Sequence, residues 1–416
     1  MHTITQEADK LMDITRINLM VSVLCPEALV LVPGFLNISD IKLPRVASLY
    51  ITVAMAGNDF SKRDLTSYLS HRPRYILKGN ISVSEAVKLP ISKIQRELQS
   101  SIGLLDNLPL ELLHALLNYL DLQSLSRILR VSLRGKAIVE SLPAYRDLAS
   151  TAGNIFQILS YTRLIGLHSA TTLQAALHSD RCISCGQYGA FLFLLSSKRC
   201  CFACLSFNQS LWLIPLAFAR DCFNLTRQQV KDLPTMRSIP GKHFVRRSIS
   251  RLRPIKLTSV HATKELAIKV HGSVEAIARN LAIERLSTTT RKPYNAVWYQ
   301  DAPLLPFSQD ILTLKSIGNA PNDDFGGMGS IAFPSILENE VENGLWCRGC
   351  ERTFELYRLQ KLDREVVSRL MPPGCDAFKF LMGLQYRARS EVEFLEHAHH
   401  CYSATEVITK RWVGLL

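Results

Sequence analysis

Two CxxC pairs, Cys182-Ile-Ser-Cys185 and Cys201-Phe-Ala-Cys204, stand 15 residues apart and constrain this chain more than any other feature. Cysteines packed this way have three chemical explanations: a disulfide staple, a metal site or redox chemistry. Two residues between thiolates let the backbone turn around one ion, with each sulfur about 2.3 Å from a tetrahedral zinc. Gly186, directly after the first pair, offers the positive φ that such a turn often needs. A redox CxxC would be expected as a single pair in a βαβ setting. The spacing therefore points to a four-cysteine zinc site with Cys182, Cys185, Cys201 and Cys204 as ligands. Cys200 is the rival of Cys201, which is preferred because it keeps the CxxC. Such a site is closed and structural, and its binding free energy, on the order of 10 kcal/mol or more, is largely folding energy. The apolar run YGAFLFLL between the pairs reads as a buried strand or hairpin pinned at both ends.

A second knuckle, Cys347-Arg-Gly-Cys350, lies in ENGLWCRGCE. Downstream, Ser390 and Glu393 have capping-box spacing and predict a helix start. On that helix His397 and Cys401 are four apart and share one face. They complete a three-cysteine, one-histidine site with Cys347 and Cys350, with His399 and His400 as rivals of His397. Cys25, Cys222 and Cys375 stand alone and read as isolated core or surface thiols.

Composition bounds the rest. A chain of 416 residues has room for roughly two or three domains, and 47% hydrophobic against 20% charged residues marks it as globular. The opening MHTITQEADK lacks the basic start of a secretory signal, and INLMVSVLCPEALVLVPGFL is interrupted by Pro26, Glu27 and Pro33. The expectation is an intracellular protein, in cytoplasm or nucleus, whose thiols stay reduced. A net charge of +13 suits acidic partners, nucleic acid among them. No phosphate-binding GxxxxGK[ST] loop, GxSxG elbow or HExxH helix occurs, so no enzymatic activity is expected.

Upstream of the cysteines runs LLDNLPLELLHALLNYLDLQSLSRILRVSLRGKAIVESLPAYRDL. Pro109 fits the first helical position, and Glu111 lies in the first turn, where it complements the helix dipole. Leu108, Leu112, Leu113, Leu116 and Leu120 recur at helical spacing. Asp121 can cap a second helix carrying Leu122, Leu125, Ile128 and Leu129, and Ser132 a third that ends before Leu142-Pro143. Three short helices bury little alone, so their apolar surplus wants a partner.

This segment resembles the F-box, in Leu108-Pro109, Glu111-Leu112-Leu113, Tyr119-Leu120-Asp121, Ser124-Leu125 and Val131-Ser132. It departs from the motif at Leu133, where a basic residue is usual. The chain beyond it is similar to a group of fungal F-box proteins: SLPAYRDL, the CxxCG…CCFxCL segment, DLPTMRSIPG, then ENGLWCRGC and a later FLEH…C. The likeness covers roughly residues 101–240 strongly and 328–402 more loosely. It implies a substrate adaptor of a Skp–Cullin–F-box ubiquitin ligase. Leu108, Pro109, Leu112, Leu113, Leu116, Leu120 and Leu125 would dock the Skp adaptor and, through it, the cullin core. The zinc-stapled remainder would hold a protein substrate. The alternative is a zinc-containing nucleic-acid-binding protein.

The expected fold is mainly α with small β elements at the zinc knuckles, a three-helix F-box and a zinc-stapled C-terminal domain. Its segments are an N-terminal extension (1–100), the F-box (101–148), a helical stretch with the first zinc site (149–240), a basic segment with helix and loop (241–340), and the second knuckle with its helix (341–416). Within these, the sequence reads as helical over 210–241, with Thr226 and Gln229 as a capping box. The basic run from Lys242 to Lys256 reads as a solvated loop, or more sharply as an anion-binding patch. A helix interrupted at Gly272 comes next, then a loop rich in Pro, Gly and Asp over 302–330, and two strands around a turn before Cys347. A further helix is expected in SVSEAVKLPISKIQREL.

Overall fold

The computed structural model describes residues 62–73, 81, 100–244, 248–251, 253–277, 279, 325–404 and 406–408. The chain divides into two units, Met1–Thr52 and Val53–Leu416, and every described residue belongs to the second. The apolar stretch around Pro26 and the helix expected around Lys88 lie outside the described residues. Among those described, no helix is long and apolar enough to cross a membrane.

Within residues 1–100, the segment α1 (Lys62–Leu69) and β1 (Ser70–His71) joins the packed body of the protein. Leu65 and Leu69, four apart on one face of α1, are both buried. After a 3-10 turn at Gly103–Asn107 come three short helices, α2 (Leu110–Asn118), α3 (Leu122–Val131) and α4 (Leu133–Ser141). Pro109 stands one position earlier than expected, at the cap of α2, where its carbonyl accepts from the amide of Leu113 at 3.0 Å. Asp121 caps α3 by accepting from the amide of Ser124 at 2.8 Å, and Ser132 caps α4 through Gly135 at 2.9 Å. Both side chains satisfy amides that a helix start leaves without intrahelical partners.

Three more helices come next: α5 (Pro143–Thr151), α6 (Asn154–Thr162) and α7 (Ala170–Leu177). The cysteine region then forms a hairpin of β2 (Phe191–Phe193) and β3 (Lys198–Cys200) and the short helix α8 (Phe202–Phe207). The expected hairpin is thus present. It is extended by β9 (Ser330–Ala332) into an antiparallel sheet ordered β3-β2-β9. As the central strand, β2 is covered on both faces, so Phe191, Leu192 and Phe193 are all buried and the strand is apolar without alternation.

The stretch 210–241 differs from its helical expectation. It contains β4 (Leu213–Pro215), α9 (Leu216–Cys222) and β5 (Thr235–Arg237). Both strands pair with β8 (Lys256–Ser259), which lies between them. Pro215 and Pro234 interrupt any long helix here, and the central partner β8 draws the flanking residues into extended backbone. The capping box holds: the Thr226 amide donates to Gln229 Oε1 at 2.8 Å and the Gln229 amide to Thr226 Oγ1 at 3.3 Å, opening a 3-10 turn at Gln229–Asp232. The basic run forms a hairpin, β6 (Gly241–Phe244) with β7 (Ser248–Arg251), instead of a loop. Helix α10 (Val260–His271) stops at Gly272, whose φ of 89° is open to glycine at no steric cost.

Four strands, rather than two, lead to the second knuckle. After β9 come β10 (Ser335–Leu337), β11 (Glu340–Glu342) and β12 (Leu345–Cys347). The turn between β10 and β11 consists of Glu338 and Asn339, both at positive φ, which suits a two-residue hairpin. The chain ends its described course in α11 (Arg348–Arg358), α12 (Arg364–Leu370), α13 (Ala377–Gln385), β13 (Ala388–Arg389) and α14 (Glu391–His400). Strand β12 pairs with β1 on one side and β13 on the other.

The main apolar core runs from Leu113 and Leu117 of α2 through Leu173 of α7 and Phe191 of β2 to Trp346 and Ala388. A smaller core gathers Trp212, Ile214, Phe223, Leu233 and Val260 around the β4-β8-β5 sheet. The helical segment and the first cysteine cluster therefore share one continuous interior, which reaches Trp346, the residue before Cys347.

Candidate metal centres

The first cluster is assembled by a turn and a helix start. The amide of Gly186 donates to the Cys182 carbonyl at 2.9 Å, and the Cys182 amide to the Gln187 carbonyl at 2.7 Å, which folds 182–187 back on itself. Gly186 has the positive φ that the sequence anticipates, 71°. Across the hairpin, Cys201 occupies the cap position of α8 and its Sγ accepts from the Cys204 amide at 3.3 Å. The four sulfurs of Cys182, Cys185, Cys201 and Cys204 all lie within 4.8 Å of one another. Cys185 and Cys201 are 3.7 Å apart at Sγ. That separation is far beyond a disulfide bond of about 2.05 Å. It matches the spacing of about 3.8 Å between sulfurs at the corners of a tetrahedron with 2.3 Å metal–sulfur bonds. Cys200 ends β3 turned the other way, with its buried Sγ 3.7 Å from the Phe191 carbonyl, and stays outside the cluster.

The second cluster joins Cys347 at the end of β12, Cys350 in the first turn of α11, and His397 and Cys401 at the end of α14. Their ligand atoms also lie within 4.8 Å of one another. Cys347 and Cys401 are 3.6 Å apart at Sγ, and His397 Nε2 is 3.1 Å from Cys350 Sγ. His399 and His400 are exposed and outside the cluster. Gly349 makes the approach possible, since a Cβ there would lie 2.5 Å from Cys401 Sγ. Ser390 caps α14 by accepting from the Glu393 amide at 3.2 Å. The Glu393 carboxylate meanwhile reaches Arg181 Nη1 at 2.6 Å, tying this helix to the residue before Cys182.

Electrostatics point the same way in both clusters. In the first, hydrogen bonding from the Cys185 thiol holds Cys182 far below the usual thiol range. Cys201 is driven up by its hydrogen bond with Cys182, and Cys204 mainly by burial. In the second, the Cys350 thiol pulls Cys347 down, while Cys350 itself is pushed up to about 12 and Cys401 rises further. Four ligand atoms this close cannot hold several thiolates at once unless a cation shares the site. The donor sets are four cysteines in one cluster and three cysteines with a histidine in the other. Each can hold a metal ion, and with four protein ligands apiece they leave no open coordination position.

Arg199 is the structural residue that sequence reasoning passed over. It is buried against the chain after the first knuckle, α7 and the β9–β10 connection. Its Nε donates to the Gly189 carbonyl at 2.8 Å, Nη1 to the carbonyls of Ala176 and Pro334 at 2.8 Å, and Nη2 to that of Phe333 at 2.7 Å. One guanidinium thus joins α7, the first knuckle and the chain after β9, with its charge 5.5 Å from the Phe333 ring centroid. A lone arginine inside SSKRCCFAC, directly before two buried cysteines, was the available signal.

The leucines of the segment before the clusters divide by face. Leu113, Leu117, Leu122 and Leu125 are buried, and Leu108 and Leu120 are half-buried. Pro109 is exposed, as are Leu112 at 54%, Leu116 at 53% and Tyr119 at 88%. Leu104 and Leu105 of the preceding 3-10 turn are exposed as well. Cys222 is buried, Cys375 half-buried, and Cys25 lies outside the described residues. No family model matches this chain, and neither does any curated protein or any solved structure.

Proposed function

We propose that this protein is a non-enzymatic F-box adaptor of a Skp–Cullin–F-box ubiquitin ligase, with two structural zinc ions bracing the part that holds substrate. The carrying observation is the division of α2 into a buried face and an exposed apolar face. Leu113 and Leu117 enter the core, while Leu112, Leu116 and Tyr119, at helical spacing on the adjoining side, stay in solvent with Leu104 and Leu105 nearby in sequence. An exposed apolar stripe on a helix already anchored by its adjoining face is what a docking surface requires. The F-box likeness of Leu108–Ser132 names the partner as the Skp adaptor. Cys182, Cys185, Cys201 and Cys204 would hold one zinc, and Cys347, Cys350, His397 and Cys401 the other. Zinc there supplies folding energy and no reactivity, because both sites are closed. Reduced thiols able to bind it accord with an intracellular compartment.

The test is binding of the purified chain to the Skp adaptor, wild type against Leu112→Asp combined with Leu116→Asp. Both side chains are about half exposed, so circular dichroism and zinc content should be unchanged. Binding should fall at least tenfold, about 1.4 kcal/mol or more. A folded wild type that does not bind would overturn the adaptor reading. The nucleic-acid alternative would then be measured on the β6–β7 hairpin, which carries the exposed Lys242.

A further inference from the structure

A groove of about 500 Å³ opens beside the β4-β8-β5 sheet. Its floor is apolar, made by Pro215, Leu216, Val230 and Ile255, and its rim carries Arg220, Arg227 and Lys256. Arg220 is engaged by the neighbouring Asp221, Nη2 to Oδ1 at 2.9 Å. Arg227 and Lys256 make no ion pair among the described residues and are exposed. The strand register adds to this charge: Arg237 of β5 stands directly opposite Lys256 of β8, both exposed. Like charges directly opposite across two strands repel and destabilise the pairing. The site thus holds positive charge that the protein's own described carboxylates do not neutralise, around a floor that favours a hydrocarbon side chain.

We propose that this groove binds an anionic peptide segment, seating one aliphatic side chain on the floor while flanking carboxylates or phosphates meet Arg227, Lys256 and Arg237. This deepens the adaptor reading, on which it rests for the claim that such a peptide belongs to a ligase substrate. Charge complementarity selects an acidic partner. The lining selects a peptide over single-stranded nucleic acid, because no aromatic ring is present on which bases could stack. The volume, about 500 Å³, accommodates one or two side chains rather than a folded domain.

The experiment uses the full chain and fluorescence anisotropy with four labelled probes. One peptide carries a leucine between paired aspartates, a second has phosphoserines in place of the aspartates, and a third has lysines. The fourth probe is a single-stranded oligonucleotide of equal charge. The aspartate or the phosphoserine peptide should bind, more weakly as salt rises, and which of the two is tighter identifies the anion. Replacing the peptide leucine with glycine should weaken binding about tenfold or more, as a lost buried side chain does. Arg227→Glu with Lys256→Glu should weaken binding roughly tenfold or more. Arg227→Gln with Lys256→Gln should do so less, and both variants should keep their zinc and helical content. Failure of both anionic peptides to bind, equal binding of the lysine peptide, or tighter oligonucleotide binding that depends on the same residues would overturn the proposal. The same variants are assayed against the Skp adaptor. Retained Skp binding without peptide binding sinks the groove alone, whereas peptide binding by a chain that never engages Skp sinks the ligase reading alone.

Discussion

At the scale of single residues, burial decides what a side chain can do. His168 shows this outside the metal clusters. Its Nε2 lies 2.6 Å from the Leu194 carbonyl, which only accepts, so the proton sits on Nε2 and the ring is the donor. Burial lowers its pKa below the ordinary 6.5, and the carbonyl recovers only part of that shift. His243 behaves alike, buried and donating from Nε2 to the Ile239 carbonyl at 2.9 Å. A depressed histidine pKa means that the unfolded chain takes up protons first as pH falls. The stability these rings contribute is therefore present above pH 6.5 and lost as pH drops from there towards their folded values. Thermal stability should fall as pH drops below about 6.5, and His168→Gln should flatten that part of the profile. A melting temperature in His168→Gln that still tracks pH as in the wild type would contradict this. The identity of His168 as a buried donor was not legible in the sequence, because nothing local distinguishes it from an exposed histidine. Its acceptor is 26 residues away in the chain.

At the scale of elements, start signals were readable and faces were not. Asp121, Ser132 and Ser390 each cap the helix their spacing announces, because a cap needs only an amide two or three residues ahead. The strands of 210–241 were missed for the opposite reason: β4 and β5 exist through their pairing with β8, which lies far along the chain from both. Helix α2 separates the two kinds of leucine by a single residue. Leu113→Ala removes a side chain that is 2% exposed and should cost about 2–4 kcal/mol in chemical denaturation. Leu112→Ala should cost under about 1 kcal/mol, since that side chain is half in solvent. Similar losses from both would mean that α2 is packed on two sides and has no free face to offer.

At the scale of the whole molecule, the two clusters are linked by contacts between the residues that flank them. Arg181 beside Cys182 is ion-paired with Glu393 on the helix that supplies His397. Phe202, next to Cys201, meets Tyr386 edge-on at 4.9 Å, and the Tyr386 carbonyl accepts from Trp346 Nε1 at 3.0 Å, one residue before Cys347. Stripping metal from one cluster should therefore loosen the other. Titration with a chelator should release both of the proposed zinc ions in one transition that coincides with loss of tryptophan and far-ultraviolet signals. Cys201→Ser should bind less than two equivalents and melt lower, whereas Cys200→Ser should keep both, because Cys200 faces Phe191. Two well-separated release steps, or zinc loss from Cys200→Ser, would show that the clusters are independent or that the ligand set is different.

The CxxC spacing, the capping residues and the helically spaced leucines were sufficient by themselves to place the cysteine knuckles and the short helices before them. These signals act over a turn or two of backbone, so the local sequence carries them whole. Which leucines point to solvent, how Cys200 turns away while Cys201 turns in, and how Arg199 locks three segments by four carbonyls were decided only when the sheets assembled. The groove ringed by Arg227 and Lys256 belongs to the same class. Its walls come from strands and turns that are separate in the chain, and only their packing leaves cations unmatched around an apolar floor.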